Sequence, residues 1–260
     1  MVAAAKMRKA QQAALAGRPY ADLLGQVLAD ASANITGFSH PLMEVRPVKK
    51  RAVIVVSTDR GLCGALNGNL FREVARLDKD TTVFIAAGKK GGQFVARTKR
   101  QLAAEFSYKD TPLFSEARAI SKFARELFLK GEVDAVDVLF TNFISTLSQK
   151  PDKFQLLPIQ KITDSHGHAE QKASSTPYYF EPDEETTLSE LLPHSLNFRI
   201  YHVLLEARAS EHSARMVAMK NATDNAKQLI KDLTLEYNKL RQSNITRELL
   251  EITTAQMAVA

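Results

Sequence analysis

The chain has 260 residues, 45% of them hydrophobic, which is enough for one substantial core. A single cysteine excludes an intrachain disulfide framework and points to a reducing compartment, and no apolar run is long enough to span a bilayer as a helix. The formal net charge of +6 calls for an acidic partner, a membrane surface or nucleic acid.

Met1 to Leu15 (MVAAAKMRKAQQAAL) is built from strong helix formers and opens without a capping residue. It has the composition of helix and not of a secretory signal. Gly17, Arg18 and Pro19 predict a kink or brief break, after which a 3.6-residue period (Leu23, Leu24, Val27, Leu28, Ala31) carries the helix to about Ile35. Lys6, Arg8, Lys9 and Arg18 make this segment basic. Binding to single-stranded nucleic acid needs aromatic stacking partners among such cations, and none lies between Met1 and Pro19. Asn34 to Pro47 reads as a loop.

The texture then changes. RAVIVVS, Arg51 to Ser57, is a short buried strand, and TDRGLCGALNGNLFREVARL after it is a turn and a helix. TVFIAAG, Thr82 to Gly88, is a second strand, followed by a helical KKGGQFVARTKR. Phe114 to Leu129 is an amphipathic helix, and AVDVLFTNF, Ala135 to Phe143, the third strand. Further strands are expected near Phe154 to Ile159 and near Tyr178 to Phe180, with a polar, mobile loop at Thr163 to Thr176 between them. Alternation of short apolar strands with helices predicts an α/β domain with a Rossmann-like, mostly parallel sheet. Glu184 to Leu192 starts helically and Pro193 punctuates it.

From Ser195 to Ala260 there is neither Gly nor Pro. Roughly 65 residues of helix would reach about 100 Å, far beyond an ordinary globular helix. Such a helix needs a partner along most of its length. Its stripe (Leu196, Ile200, Val203, Ala207, then Leu229, Leu233, Leu240, then Ile245, Leu249, Ile252) shifts phase twice, as in an irregular coiled coil. The predicted organisation is an N-terminal helix over 1–36, an α/β domain over 48–183 and a long C-terminal helix over 184–260. The two terminal helices pack antiparallel.

Chemistry-bearing patterns are sparse. The glycine loop STDRGLCGALNGN, Ser57 to Asn69, lies where a nucleotide fold places its phosphate loop, but it is neither G-x-G-x-x-G nor followed by G-K-[ST]. A tight strand-to-helix turn is the plainer reading, with Cys63 a buried small residue. The histidines show no metal-ligand spacing; Glu206 and Glu211 read as helix surface; no catalytic constellation is found. An α/β nucleotide-binding enzyme and a basic coiled-coil nucleic-acid binder stand as the other readings.

MVAAAKMRKAQ, VVSTDRGLCGALNGNLF and SEHSARMVAMKNATDNAKQLIKDLTLEYNKLRQSNITRELLEI together resemble the γ subunit family of the F-type ATP synthase, in order and over nearly the whole chain. The resemblance implies a non-catalytic central shaft: an antiparallel coiled coil of the terminal helices inside a ring of α and β subunits, with the α/β domain at the foot against the ε subunit and the membrane c-subunit ring. It implies no cofactor, no metal and no nucleic acid, and a peripheral place on the cytoplasmic face of the bacterial inner membrane. By the same resemblance Arg241, Gln242, Ile245, Thr246, Glu248 and Glu251, with Met1, Lys6, Arg8 and Lys9, face the catalytic ring. Tyr178, Tyr179, Glu181 and Asp183 lie at the foot, and the glycine loop is structural. Two departures stand out. The family carries a further stretch of inner helix before the segment matching MVAAAK, so the stripe at Leu240, Ile245, Leu249 and Ile252 is expected to be exposed and the tip frayed. Ala255-Gln256 replaces the family's usual Gly-Ala. The plastid pair of regulatory cysteines is lacking, which favours a bacterial type.

Overall fold

The computed structural model describes residues 2–34, 40–159, 181 and 183–259. The strand expected near Tyr178 and the loop at Thr163 to Thr176 lie outside them. By contact the chain divides into two units, Met1–Met216 and Val217–Ala260.

The first unit is built on a sheet in the order β3-β2-β1-β4-β5. β1 is Arg51–Val56, β2 Thr82–Ala87, β3 Gln101–Phe106, β4 Ala135–Phe143 and β5 Gln149–Leu157. β1 pairs in parallel with β2 and β4, and β2 with β3, whereas β5 runs antiparallel to β4. The central strands are apolar on both faces because both faces are covered. Val53 and Val55 pack with Leu70 and Val74 of α2 (Leu66–Arg76) and Val95 of α3 (Lys89–Arg97). Ala52, Ile54 and Val56 face the opposite layer, with Ile120, Ala124 and Phe128 of α4 (Phe114–Leu129). Two long helices complete that layer: α1, Val2–Asn34, and the part of α5 (Glu184–Val259) that lies within the first unit.

Strand β3 is absent from the sequence expectation, which ran a helix through Arg100. The structure ends α3 at Arg97 instead. Lys99 takes φ +53, its N–H bonds the Ala96 carbonyl and the Arg100 N–H bonds the Val95 carbonyl. That is a Schellman closure made without glycine, hence without its usual sequence mark. The Arg100 side chain then donates to the carbonyls of Ala75 and Leu77 at the end of α2. β3 itself (QLAAEF) is an edge strand and reads like helix. Likewise β5 begins at Gln149, ahead of the expected Phe154.

Neither proline breaks its helix. α1 runs unbroken through Pro19 and α5 through Pro193. Packing on both sides of each proline offsets the lost backbone bond. Leu188, Leu192, Leu196 and Ile200 are buried around Pro193, and Ala14, Leu24 and Leu28 are buried around Pro19. Gly17 marks a close helix approach: a Cβ there would meet His202 Nδ1 at 3.4 Å.

The two helices run antiparallel within the first unit. The Tyr20 ring lies tilted against Phe198 with centroids 4.4 Å apart, and its hydroxyl bonds His194 at 3.1 Å; Arg18 reaches Glu206 at 3.5 Å; Ala14 is buried with Leu205 and Ala209. As residue numbers fall in α1 they rise in α5.

Gly88 forms the turn from β2 into α3 at φ +106, where an added Cβ would sit 2.2 Å from the Ser57 carbonyl oxygen. Gly88→Ala is expected to lower stability by about 3 kcal/mol. Gly25→Ala in α1, with nothing within 4 Å of its Cβ, should change it by no more than ~1 kcal/mol, and upward. Denaturant midpoints of the two variants check this.

Candidate partner-contact surfaces

The second unit is the remainder of α5. Its side chains are exposed at Leu229, Leu233, Leu240, Ile245, Leu249 and Ile252, and Ile245 is 49% exposed. This is the stripe expected to lack cover, and the helix carrying it is regular through Val259. Arg241, Gln242, Thr246, Glu248 and Glu251 are exposed alongside. Two bonds among them stay within the helix: Arg247 Nε donates to Glu251 at 3.0 Å, and the Thr246 hydroxyl to the Gln242 carbonyl at 2.9 Å. The threonine bonds satisfy hydroxyls locally and leave a surface of methyls and long charged chains. A helix of this kind carries alternating charge and an apolar stripe ready for other chains.

In α1, Arg8 and Lys9 are exposed, and Lys6 pairs with Asp110 in the loop after β3. The Lys6 ammonium holds the Asp110 carboxyl below its usual pKa. Met1, Tyr178 and Tyr179 lie outside the described residues. Glu181 is exposed. Asp183 has a structural occupation at the start of α5: its carboxylate accepts from the Thr186 amide at 2.7 Å and from the Thr186 hydroxyl at 2.9 Å. Those bonds lower its pKa and satisfy an orphan donor of the first turn. The structure therefore does not gather the sequence-derived residues into one site; they fall on the start of α1, the start of α5 and its far part.

The glycine loop is closed by its own side chains. Asn67 Nδ2 donates to Thr58 Oγ1 at 2.7 Å, the Thr58 hydroxyl donates to the Arg60 carbonyl, and Cys63 is buried. Leu62 takes φ +62 and is 75% exposed.

Sequence reasoning missed a buried charge cluster at the carboxyl ends of β1, β3 and β4. Glu206 and Glu211, expected on the helix surface, are 1% and 2% exposed. Arg208, 2% exposed, donates to Asp59 at 3.0 Å, to Glu211 at 2.6 Å and to the carbonyls of Tyr108 and Lys109 at 2.5 and 3.2 Å. Its guanidinium also lies over the Tyr108 ring, 4.0 Å from the centroid. Burial works to lower the Arg208 pKa, but the surrounding Tyr108, Glu211 and Asp59 outweigh it and hold it above the ordinary arginine value. The same burial pushes the Tyr108 phenol up. The one available signal was the sequence ARASEHSAR itself, where small residues alternate with charges that no exposed helix needs.

Fold and surfaces together define a class: an α/β body clasped by antiparallel terminal helices, one of which is a long helix with its far part exposed, as in rotor subunits of central stalks. A family model described as ATP synthase matches residues 1–259. The ATP synthase gamma chain of Opitutus terrae is 46% identical, with all of this chain and 91% of the relative covered. That of Methylacidiphilum infernorum is 43% identical over the same shares. A chain of the central stalk and c-ring of Tetrahymena thermophila mitochondrial ATP synthase superposes with a TM-score of 0.63 at 22% identity, covering 86% of this chain and 96% of that one. The chain belongs to the ATP synthase gamma chain family, of bacterial type, a non-catalytic rotor subunit of the complex. No described helix is long and apolar enough to cross a membrane.

Burial, with Arg215 and Arg208 nearby, holds the His212 imidazole below the ordinary histidine value of 6.5. With the folded pKa depressed, the neutral form carries the stability above pH 6.5, and that share is lost as pH falls through the folded value. His212→Gln is expected to flatten part of the fall in stability below pH 6.5, read from urea midpoints at a series of pH values.

Proposed function

We propose that this chain turns as the asymmetric shaft inside a ring of α and β subunits, coupling ion-driven rotation of a membrane ring to ATP synthesis or hydrolysis at the β sites. The observation that carries the reading is the Val217–Ala260 unit, a helix exposed along its length with an apolar stripe and charges of both signs, in a chain of this family. In proteins most of a helix's stability comes from packing its apolar face, and this one leaves that face open for a partner. One asymmetric axle within the ring places each of the identical β subunits against a different face, and this couples their nucleotide affinities to rotation.

Arg241, Gln242, Ile245, Thr246, Glu248 and Glu251 face the ring from α5, and Met1, Lys6, Arg8 and Lys9 face it from α1. Lys6 and its neighbours are cations suited to acidic β-subunit loops. Glu181 and Asp183, with Tyr178 and Tyr179, belong to the foot, near the ε subunit and the c-ring. The complex sits at the cytoplasmic face of the bacterial inner membrane. The nucleotide-binding alternative loses ground at the carboxyl edge of the sheet. The crevice between β1 and β4, where such a fold binds its ligand, is occupied by Arg208, Ser210 and Glu211 of α5.

Reconstitution with α and β subunits tests the reading: the chain is expected to stimulate ATP hydrolysis by the ring. Ile245→Asp should reduce that stimulation by about tenfold, the scale of a contact hot spot, while leaving the chain's own stability within ~0.5 kcal/mol because the residue is exposed. Equal stimulation by both forms would remove Ile245 from the interface.

A further inference from the structure

Where burial of α5 ends, the helix is held from three directions. The last continuous buried stretch runs from His202 to Ser213. Leu205 and Ala209 face α1, against Ala14 and beside Phe143. The Ser210 hydroxyl donates to the Thr141 carbonyl near the end of β4 at 3.0 Å. Arg208, Glu211 and Arg215 face the loops after β1 and β3, with Arg215 reaching the Gly61 carbonyl at 3.4 Å and Glu211 at 2.6 Å. At about 100° per residue these three directions are roughly a third of a turn apart. They form a bracket around the helix axis.

The three supports differ in kind. Alanine contacts are smooth and non-directional, so they resist sliding weakly. The serine bond is one neutral hydrogen bond. The Arg208 fork is directional and charged: its donors reach two loops and the helix's own Glu211 at once, over the Tyr108 ring. Buried ion pairs are seldom a net source of stability, and their best-attested use is to fix register. On that ground, and resting on the shaft reading above, we propose that Arg208 is a positioning residue that locks the rotational register of α5 against the α/β body, so that torque passes between the two without slip.

The test uses the assembled membrane enzyme. Arg208→Met with Asp59→Asn removes the fork and its outer carboxylate together and leaves Glu211 paired with Arg215, so no buried charge is stranded. Two readouts are compared: ATP hydrolysis with uncoupler, where the rotor is unloaded, and ion pumping per ATP hydrolysed, where it is loaded. Unloaded hydrolysis is expected within about twofold of wild type, and pumping per ATP is expected to fall by about threefold or more, in line with a lost directional contact and retained fold. Unchanged pumping per ATP, or a proportional fall in both rates with a lowered melting temperature, would overturn the proposal. If the double variant does not assemble, Arg208→Lys decides. It keeps the charge and loses the fork, so an intermediate loss of pumping per ATP supports the lock and an unchanged ratio rejects it. Pumping by the wild-type complex reports separately on the shaft reading.

Discussion

Between His202 and Ser213, α5 is buried on every side, in a turn sequence that includes His202, Glu206, Arg208, Glu211 and His212. Such a stretch is tolerable only if each charge meets a partner in the surrounding elements. The rest of the first unit supplies them. The loop after β1 brings Asp59, the loop after β3 brings the Tyr108 and Lys109 carbonyls, and α1 brings Arg18 towards Glu206. The order of the strands matters for the same reason. With β1 central and β4 beside it, the carboxyl ends of the parallel strands converge on one place, and α5 passes over it.

A parallel sheet with a tight glycine-bearing turn after β1 is the scaffold on which many proteins hold a phosphate. Here the ligand's place is taken by a helix of the same chain. Gly88 and Gly91 let α3 begin close against Ser57, whose hydroxyl accepts from the Gly91 amide at 2.8 Å. On a fold of this kind, function lies in the residues set on the sheet and not in the sheet itself.

Much of this was legible in the residues. β1, β2 and β4 announced themselves as short runs of apolar residues bounded by turns, and α5 by the lack of Gly and Pro over its main length. The family resemblance rested on three long stretches that the comparisons bear out. What escaped had physical causes. The end of α3 is closed by a lysine in a left-handed conformation, so no glycine marked it, and β3 as an edge strand carries Ala, Gln and Glu. Pro19 and Pro193 read as breaks because the sequence does not display the buried leucines that hold the helix across them. Glu206 and Glu211 read as surface because carboxylates on a long helix are most often solvated. Burial is a property of the three-dimensional neighbours. The candidate contact residues of α5 came from the resemblance, because nothing in a solvated helix face marks which side chains another chain will meet.

The most direct measurement is rotation itself. A ring of α and β subunits is fixed to a surface with this chain as its axle, and a bead is attached through Leu129→Cys, which is 50% exposed while the sole native cysteine, Cys63, is buried. On addition of ATP the account predicts rotation in one direction, in discrete steps that follow hydrolysis. Hydrolysis by the assembled ring with a stationary bead, or with a bead that only fluctuates, would contradict it.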